Sequence, residues 1–158
     1  MTMRGGMGLL GVVVSFALPI HVAAQDEATA LAAVDQVFEG MRTANAAMVR
    51  EVFATDARFA ILDAREGPAS IRSQSVDGWL TGIDGSGGSW DEQVYEVRAR
   101  VDGPMASVWA PYTFYLNGEI SHCGINSIEL LYDAEGWKVT QISDTRRQEG
   151  CPDPLGSW

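Results

Sequence analysis

The sequence predicts an α+β fold, helices first and a long antiparallel meander after them. Three observations carry this. Apolar residues recur at helical spacing up to residue 83, and from residue 94 they alternate at every second position. Two tight-turn dipeptides, Asp102-Gly103 and Asn117-Gly118, then divide the alternating part. With 158 residues the chain suffices for one ordinary domain and is short for two.

The elements follow in order. From Asp26 to Thr43, Leu31, Val34, Phe38 and Met41 form one helical stripe, and Asp26 is placed to cap its start. Asn45 caps a second, shorter helix with Met48, Val49, Val52 and Phe53 on one face. "ARFAIL" (57–62) predicts a short strand. Ser75 caps a third helix in which Val76, Trp79, Leu80 and Ile83 fall at i, i+3, i+4 and i+7. "DGSGGS" (84–89) is a flexible break. Strands follow at "VYEVRARV" (94–101), "MASVWAPYTFYL" (105–116), "EISHCGINSIELLY" (119–132) and "WKVTQISDT" (137–145), the last two joined through "DAEG".

The N-terminal segment has Arg4 before an apolar stretch from Met7 to Ile20, and small residues end it at Ala24. This pattern predicts a secretory signal peptide, residues 1–24, and a periplasmic or secreted mature chain. The stretch is too short for the ~20 residues of a spanning helix, so no membrane anchor is expected after cleavage. Residues 1–24 hold one arginine and no carboxylate, so their removal moves the net charge from −10 to −11. Such a surface repels nucleic acid and anionic lipid. An oxidising compartment makes a disulfide the default for the only two cysteines, Cys123 and Cys151, with two buried thiols as the alternative. The bond would tie the tail, residues 148–158, back onto the meander.

Adjacent in a strand, His122 and Cys123 point to opposite faces, which excludes a thiolate–imidazole couple between them. If Asn117 and Gly118 are the two loop residues, Tyr112 faces Cys123 and Trp109 faces Asn126. Val108, Ala110, Tyr112 and Phe114 then share a face with Cys123 and Ile125, while Ile128, Leu130, Trp137 and Val139 fall on the other. Either a β-bulge near Pro111 or Gly124 shifts the register, or both faces are covered. The face of His122 stays open.

One histidine and two distant cysteines after residue 24 make no zinc site, and no phosphate loop or nucleophile elbow is present. Neither metal nor cofactor is expected.

The phrases "MASVWAPYTFYLNG" and "GINSIELLYDAEGWKVTQISDT" resemble the nuclear transport factor 2-like superfamily, including its SnoaL-like branches, over residues 27–147. The closing hairpin carries the resemblance: an apolar strand, a D-x-x-G turn and a Trp-Lys-apolar restart. It implies a cone-shaped, strongly curved antiparallel sheet packed on the N-terminal helices, residues 25–147 forming the domain. It also implies a pocket at the open end and, often, a homodimer through the sheet face. Members include isomerases, dehydratases, epoxide hydrolases, cyclases and non-catalytic binding domains, so the fold does not choose a function.

In the implied pocket, His122 is the candidate general acid or base, Asp144 the base or polarising group, and Tyr112 the donor to a developing oxyanion. Trp109, Tyr115, Asn126, Trp79 and Arg146 are the candidate ligand contacts, Trp109 foremost. Structural roles stand beside these: a lone strand histidine is more often scaffold, and Asp144 could pair with an arginine. No catalytic motif of the superfamily matches here residue by residue. The expected function is the binding of a small apolar or aromatic molecule. The alternatives are a metal-independent lyase, isomerase or hydrolase, and a non-catalytic dimerisation or structural domain.

Overall fold

A computed structural model describes residues 25–85 and 87–153, and the signal peptide expected over residues 1–24 lies outside them. The early periodicity becomes two helices, α1 (Glu27–Arg42) and α2 (Ala46–Glu51). Asp26 accepts from the Thr29 amide at 2.9 Å in a capping box, and Asn45 accepts from the Met48 amide at 3.0 Å. On α1, Ala30, Val34, Val37 and Met41 are buried, while Leu31 and Phe38 flank them half-buried.

Strand β1 (Phe53–Asp63) is longer than expected and pairs with an edge strand, β2 (Ser70–Ser75), that the sequence hides among Ser and Arg. Ser75 ends β2 and caps α3 (Val76–Gly85), its hydroxyl accepting from the Gly78 amide at 3.1 Å. Next come β3 (Trp90–Val94), which lies ahead of the strand expected over residues 94–101, and β4 (Arg98–Asp102), which takes the second half of that expected strand. Both pair with β5 (Met105–Leu116), and Glu96 at φ 50° marks the break between them. The hairpin turn, Asn117 at φ 57° and Gly118 at φ 84°, has both central residues left-handed and leads into β6 (Glu119–Asp133). Strand β7 (Gly136–Arg146) closes the chain of elements. The sheet order is β2-β1-β7-β6-β5-β3, with β4 also on β5. All pairings are antiparallel except β1 with β7, which is parallel. The α+β class therefore holds, with a mixed sheet.

Two one-residue bulges resolve the conflict of faces. Tyr115 pairs with Ile120 but Phe114 with His122, leaving Ser121 as the extra residue. Glu129 pairs with Gln141 but Leu130 with Val139, leaving Thr140 over. The first bulge turns His122, Asn126, Ile128 and Leu130 onto the inner face with Val108, Ala110, Tyr112 and Phe114. It sends Cys123 and Ile125 outward, where Cys123 pairs with Thr113 and not with Tyr112. The bulge lies at Ser121, three residues before Gly124. The second keeps Val139 and Ile142 on that inner face. Trp137 is buried as well, its indole N–H donating to Thr29 of α1 at 3.1 Å.

On the outer face Cys123 is bonded to Cys151, Cα to Cα 5.5 Å, closing 28 residues of sequence. The backbones of Cys123 and Arg147 exchange hydrogen bonds of 2.9 Å in both directions. The Thr113 hydroxyl donates to the Pro152 carbonyl at 2.8 Å, and the Tyr115 hydroxyl to Asp153 at 2.5 Å. The tail thus covers the outer side of β5 at Thr113 and Tyr115.

Gly124 has no room for a side chain. A Cβ there would stand 1.7 Å from the Thr145 carbonyl oxygen, with only backbone to yield. Gly124→Ala is expected to lower unfolding free energy by about 3 kcal/mol or more, as forced separation of packed backbone does. Urea unfolding checks this, and a loss below about 1 kcal/mol, within the reach of ordinary surface changes, would contradict the close approach.

Candidate functional site

Paired positions on the inner face stack into rows. Arg72, Ile61, Asp144 and Asn126 form one row across β2, β1, β7 and β6, and Asp63 with Arg146 begins the next. Glu92 and His122 flank Phe114 from its two neighbouring strands. These rows bound a cavity of about 340 Å³. Its apolar wall includes Met41, Trp79, Trp90 and Phe114, and its polar wall includes Glu92, His122, Arg146, Arg65 and Arg72.

Each charged group but one has a committed partner. Asp144 is almost fully buried and holds Arg146 through two bonds, Nε to Oδ1 at 2.8 Å and an NH2 group to Oδ2 at 3.1 Å. Asp63 holds Arg65 through two bonds, 2.8 and 2.6 Å, and receives Arg72 at 3.4 Å. That pairing holds the Asp63 carboxyl well below the usual carboxylate range. Glu92 instead accepts one 2.6 Å bond from the Asn126 amide and forms no ion pair among the described residues. Burial, with the Asp144 charge adding to it, pushes Glu92 up to about 7 against the amide bond and Arg146.

His122 packs its ring on Phe114, centroids 5.0 Å apart, and edge-on to Tyr112 at 5.7 Å. Burial first, and then the Arg146 and Arg65 charges, push it down to about 3, so it is a neutral imidazole at physiological pH. Its Nδ1 lies 3.1 Å from the Ser121 hydroxyl; when that hydroxyl donates, the ring proton stays on Nε2. The Tyr112 hydroxyl donates to the Thr145 carbonyl at 3.0 Å, which commits it to the scaffold. Burial and the Glu92 and Asp144 carboxylates raise its pKa above the ordinary phenol range.

Of the residues singled out from sequence, His122, Trp79 and Arg146 line this cavity, and Asn126 reaches its carboxylate. Asp144 stands behind Arg146 as its counter-ion. Tyr115 points outward to the tail. Trp109, 52% exposed, lies in a separate hollow on the outer face, near Leu62 and Ile71. Glu92, Arg65 and Arg72 were not singled out. Glu92 had a signal, because Trp90, Glu92 and Val94 alternate and place a carboxylate on an apolar face. The two arginines, within "REGPASIRS", had none. Among the described residues no three of His, Cys, Asp and Glu group as a metal ion needs.

N-terminal helices packed on a mixed, mostly antiparallel sheet recur in solved structures. A protein of unknown function from Shewanella baltica, described as nuclear transport factor 2-like, superposes with a TM-score of 0.57 at 14% identity, covering 82% of this chain and all of that one. The fold is nuclear transport factor 2-like. A candidate dehydratase of that kind from Streptomyces avermitilis matches at 0.58 and 12% identity, over 75% of this chain and 94% of its own. A candidate ketosteroid isomerase from Shewanella frigidimarina matches at 0.56 and 17%, over 75% and 95%. No protein-family model and no curated protein matches the sequence. At such identities the likeness is one of fold, and the nuclear transport factor 2-like scaffold leaves the chemistry to the side chains.

The two shifted groups give opposite pH dependences. Glu92 sits at about 7 folded against 4.5 ordinarily, so the native state holds the extra proton and stability falls as pH rises between those values. His122 sits at about 3 against 6.5, so the unfolded chain takes the proton and stability is lost as pH falls below 6.5. Between pH 4.5 and 6.5 the slopes oppose each other, each approaching ~1.4 kcal/mol per pH unit at full strength. Urea unfolding across that window should show Glu92→Gln gaining stability with rising pH relative to wild type, and His122→Gln losing it. Slopes unchanged in both variants would contradict the burial of these groups.

Proposed function

We propose that the protein is a metal-independent acid–base enzyme, a lyase or isomerase, that moves a proton on a small molecule held in the inner cavity. One observation carries the reading: Glu92, a carboxylate without a cationic partner of its own, faces a cavity walled by Trp79, Trp90 and Phe114. Taking a carboxylate out of water without an ion pair costs stability, and such a group is suited to take and return protons near neutrality. His122, uncharged, offers a neutral N–H donor for charge that develops on the substrate as the proton leaves. Arg146, fixed by Asp144, adds a positive field on the same wall. Dehydration and double-bond migration both use this set: a base, a donor and an apolar wall to seat the substrate.

A holder of a small apolar or aromatic molecule, without turnover, would use the same aromatic wall. The free-standing carboxylate favours chemistry over storage, because an apolar ligand gains nothing from it. Export, and a homodimer through the outer sheet face where Trp109 and Ile71 stand exposed, remain parts of the proposal.

The test uses 5-nitrobenzisoxazole, whose ring opens when a base removes its C3 proton and the N–O bond breaks to a coloured phenolate. Wild type should accelerate the opening with a single rising pH limb centred near the Glu92 value. Glu92→Gln should reduce the rate at least about tenfold, the low end for a positioned base. Equal rates in wild type and Glu92→Gln would overturn the reading.

A further inference from the structure

We infer that the cavity takes an organic anion, a carboxylate on an apolar body of aromatic size, with its charged end on Arg72 and Arg65 and its body against Trp79, Trp90 and Phe114. The inference rests on the proton-transfer reading, since it names the substrate class of the same site.

The charge distribution argues for it. The chain is strongly acidic, 21 Asp and Glu against 11 Lys and Arg, yet three of those basic residues converge on one cavity. Two carboxylates are committed to them, Asp63 and Asp144. With Glu92 ionised, as proton abstraction requires, the three carboxylates balance the three guanidinium groups, and the geometry of Arg72 decides what they can still hold. Glu66, beside Arg65, is solvent-exposed, and water screens its charge. Arg72 carries the spare capacity: its hold on Asp63 is a single contact of 3.4 Å, so most of its five N–H donors remain for a ligand.

A neutral apolar ligand would strip water from this guanidinium and return nothing, a cost that selects against it. A carboxylate returns a planar pair of acceptors that matches the guanidinium fork.

The test compares trans-cinnamate with cinnamyl alcohol, the same skeleton with and without the charge, by titration calorimetry on the whole protein. Cinnamate should bind at least about tenfold more tightly, ~1.4 kcal/mol. Arg72→Gln should bring that ratio to within about threefold while Arg72→Lys keeps part of it, and an unchanged affinity for the alcohol shows the cavity intact. Arg72 sits on the edge strand β2 with its side chain 42% exposed, so the substitution spares the core. Equal affinities for the two probes, a ratio unmoved by Arg72→Gln, or no cinnamate binding at millimolar concentration would overturn the inference. Benzisoxazole turnover decides the proton-transfer reading and the cinnamate-to-alcohol ratio decides this one, so each can fail alone.

Discussion

The extra residue at Ser121 sets which side chains the cone encloses. In a strand with a two-residue side-chain period, one inserted residue exchanges the faces of everything beyond it. Without that bulge Cys123 and Ile125 would look inward and His122, Asn126, Ile128 and Leu130 outward. With it, the cysteine reaches Cys151 on the outside, and the histidine and asparagine join Tyr112 and Phe114 inside. Gly124 then lets the Thr145 backbone cross close enough for the Tyr112 hydroxyl to bond it. The disulfide and the tail bonds to Thr113 and Tyr115 hold the same stretch from the other side.

Inside, the charges divide into two kinds. Asp63 and Asp144 are spent on guanidinium groups and serve to hold them. Glu92 is left with an amide, in surroundings that favour its neutral form. His122, a few side chains away, is also pushed to its neutral form, though from the opposite direction. Two titratable groups displaced toward neutrality beside fixed positive charge give a site that can exchange a proton without first rearranging ion pairs.

Much of the architecture was legible because periodicity and turn chemistry are local. The α3 stripe from Val76 to Ile83, the Asn117-Gly118 hairpin and the disulfide all follow from residues read in place. The conflict between Tyr112 and Ile128 announced a bulge, but its position could not be read, since any residue between the turn and Gly124 can absorb a register shift. Strand β2 was hidden because an exposed edge strand of Ser, Arg and Gln carries no apolar alternation. The site was legible in part. His122, Arg146 and Asn126 came from the meander, while Trp109 was placed by its size and proved to sit on the outer face. Asp144 attracted attention as an acid near a strand end, yet Arg146 lies two residues on and neutralises it. Glu92 was passed over beside Asp91 and Gln93, where a polar run resembles solvent-facing strand.

A half-buried carboxylate that faces the cavity without a cationic partner is the central claim, and ¹³C NMR titration of the Glu92 side-chain carboxyl, assigned by its loss in Glu92→Gln, tests it most directly. The account predicts a midpoint near 7. A midpoint near the ordinary 4.5 would place that carboxylate in water and contradict the account.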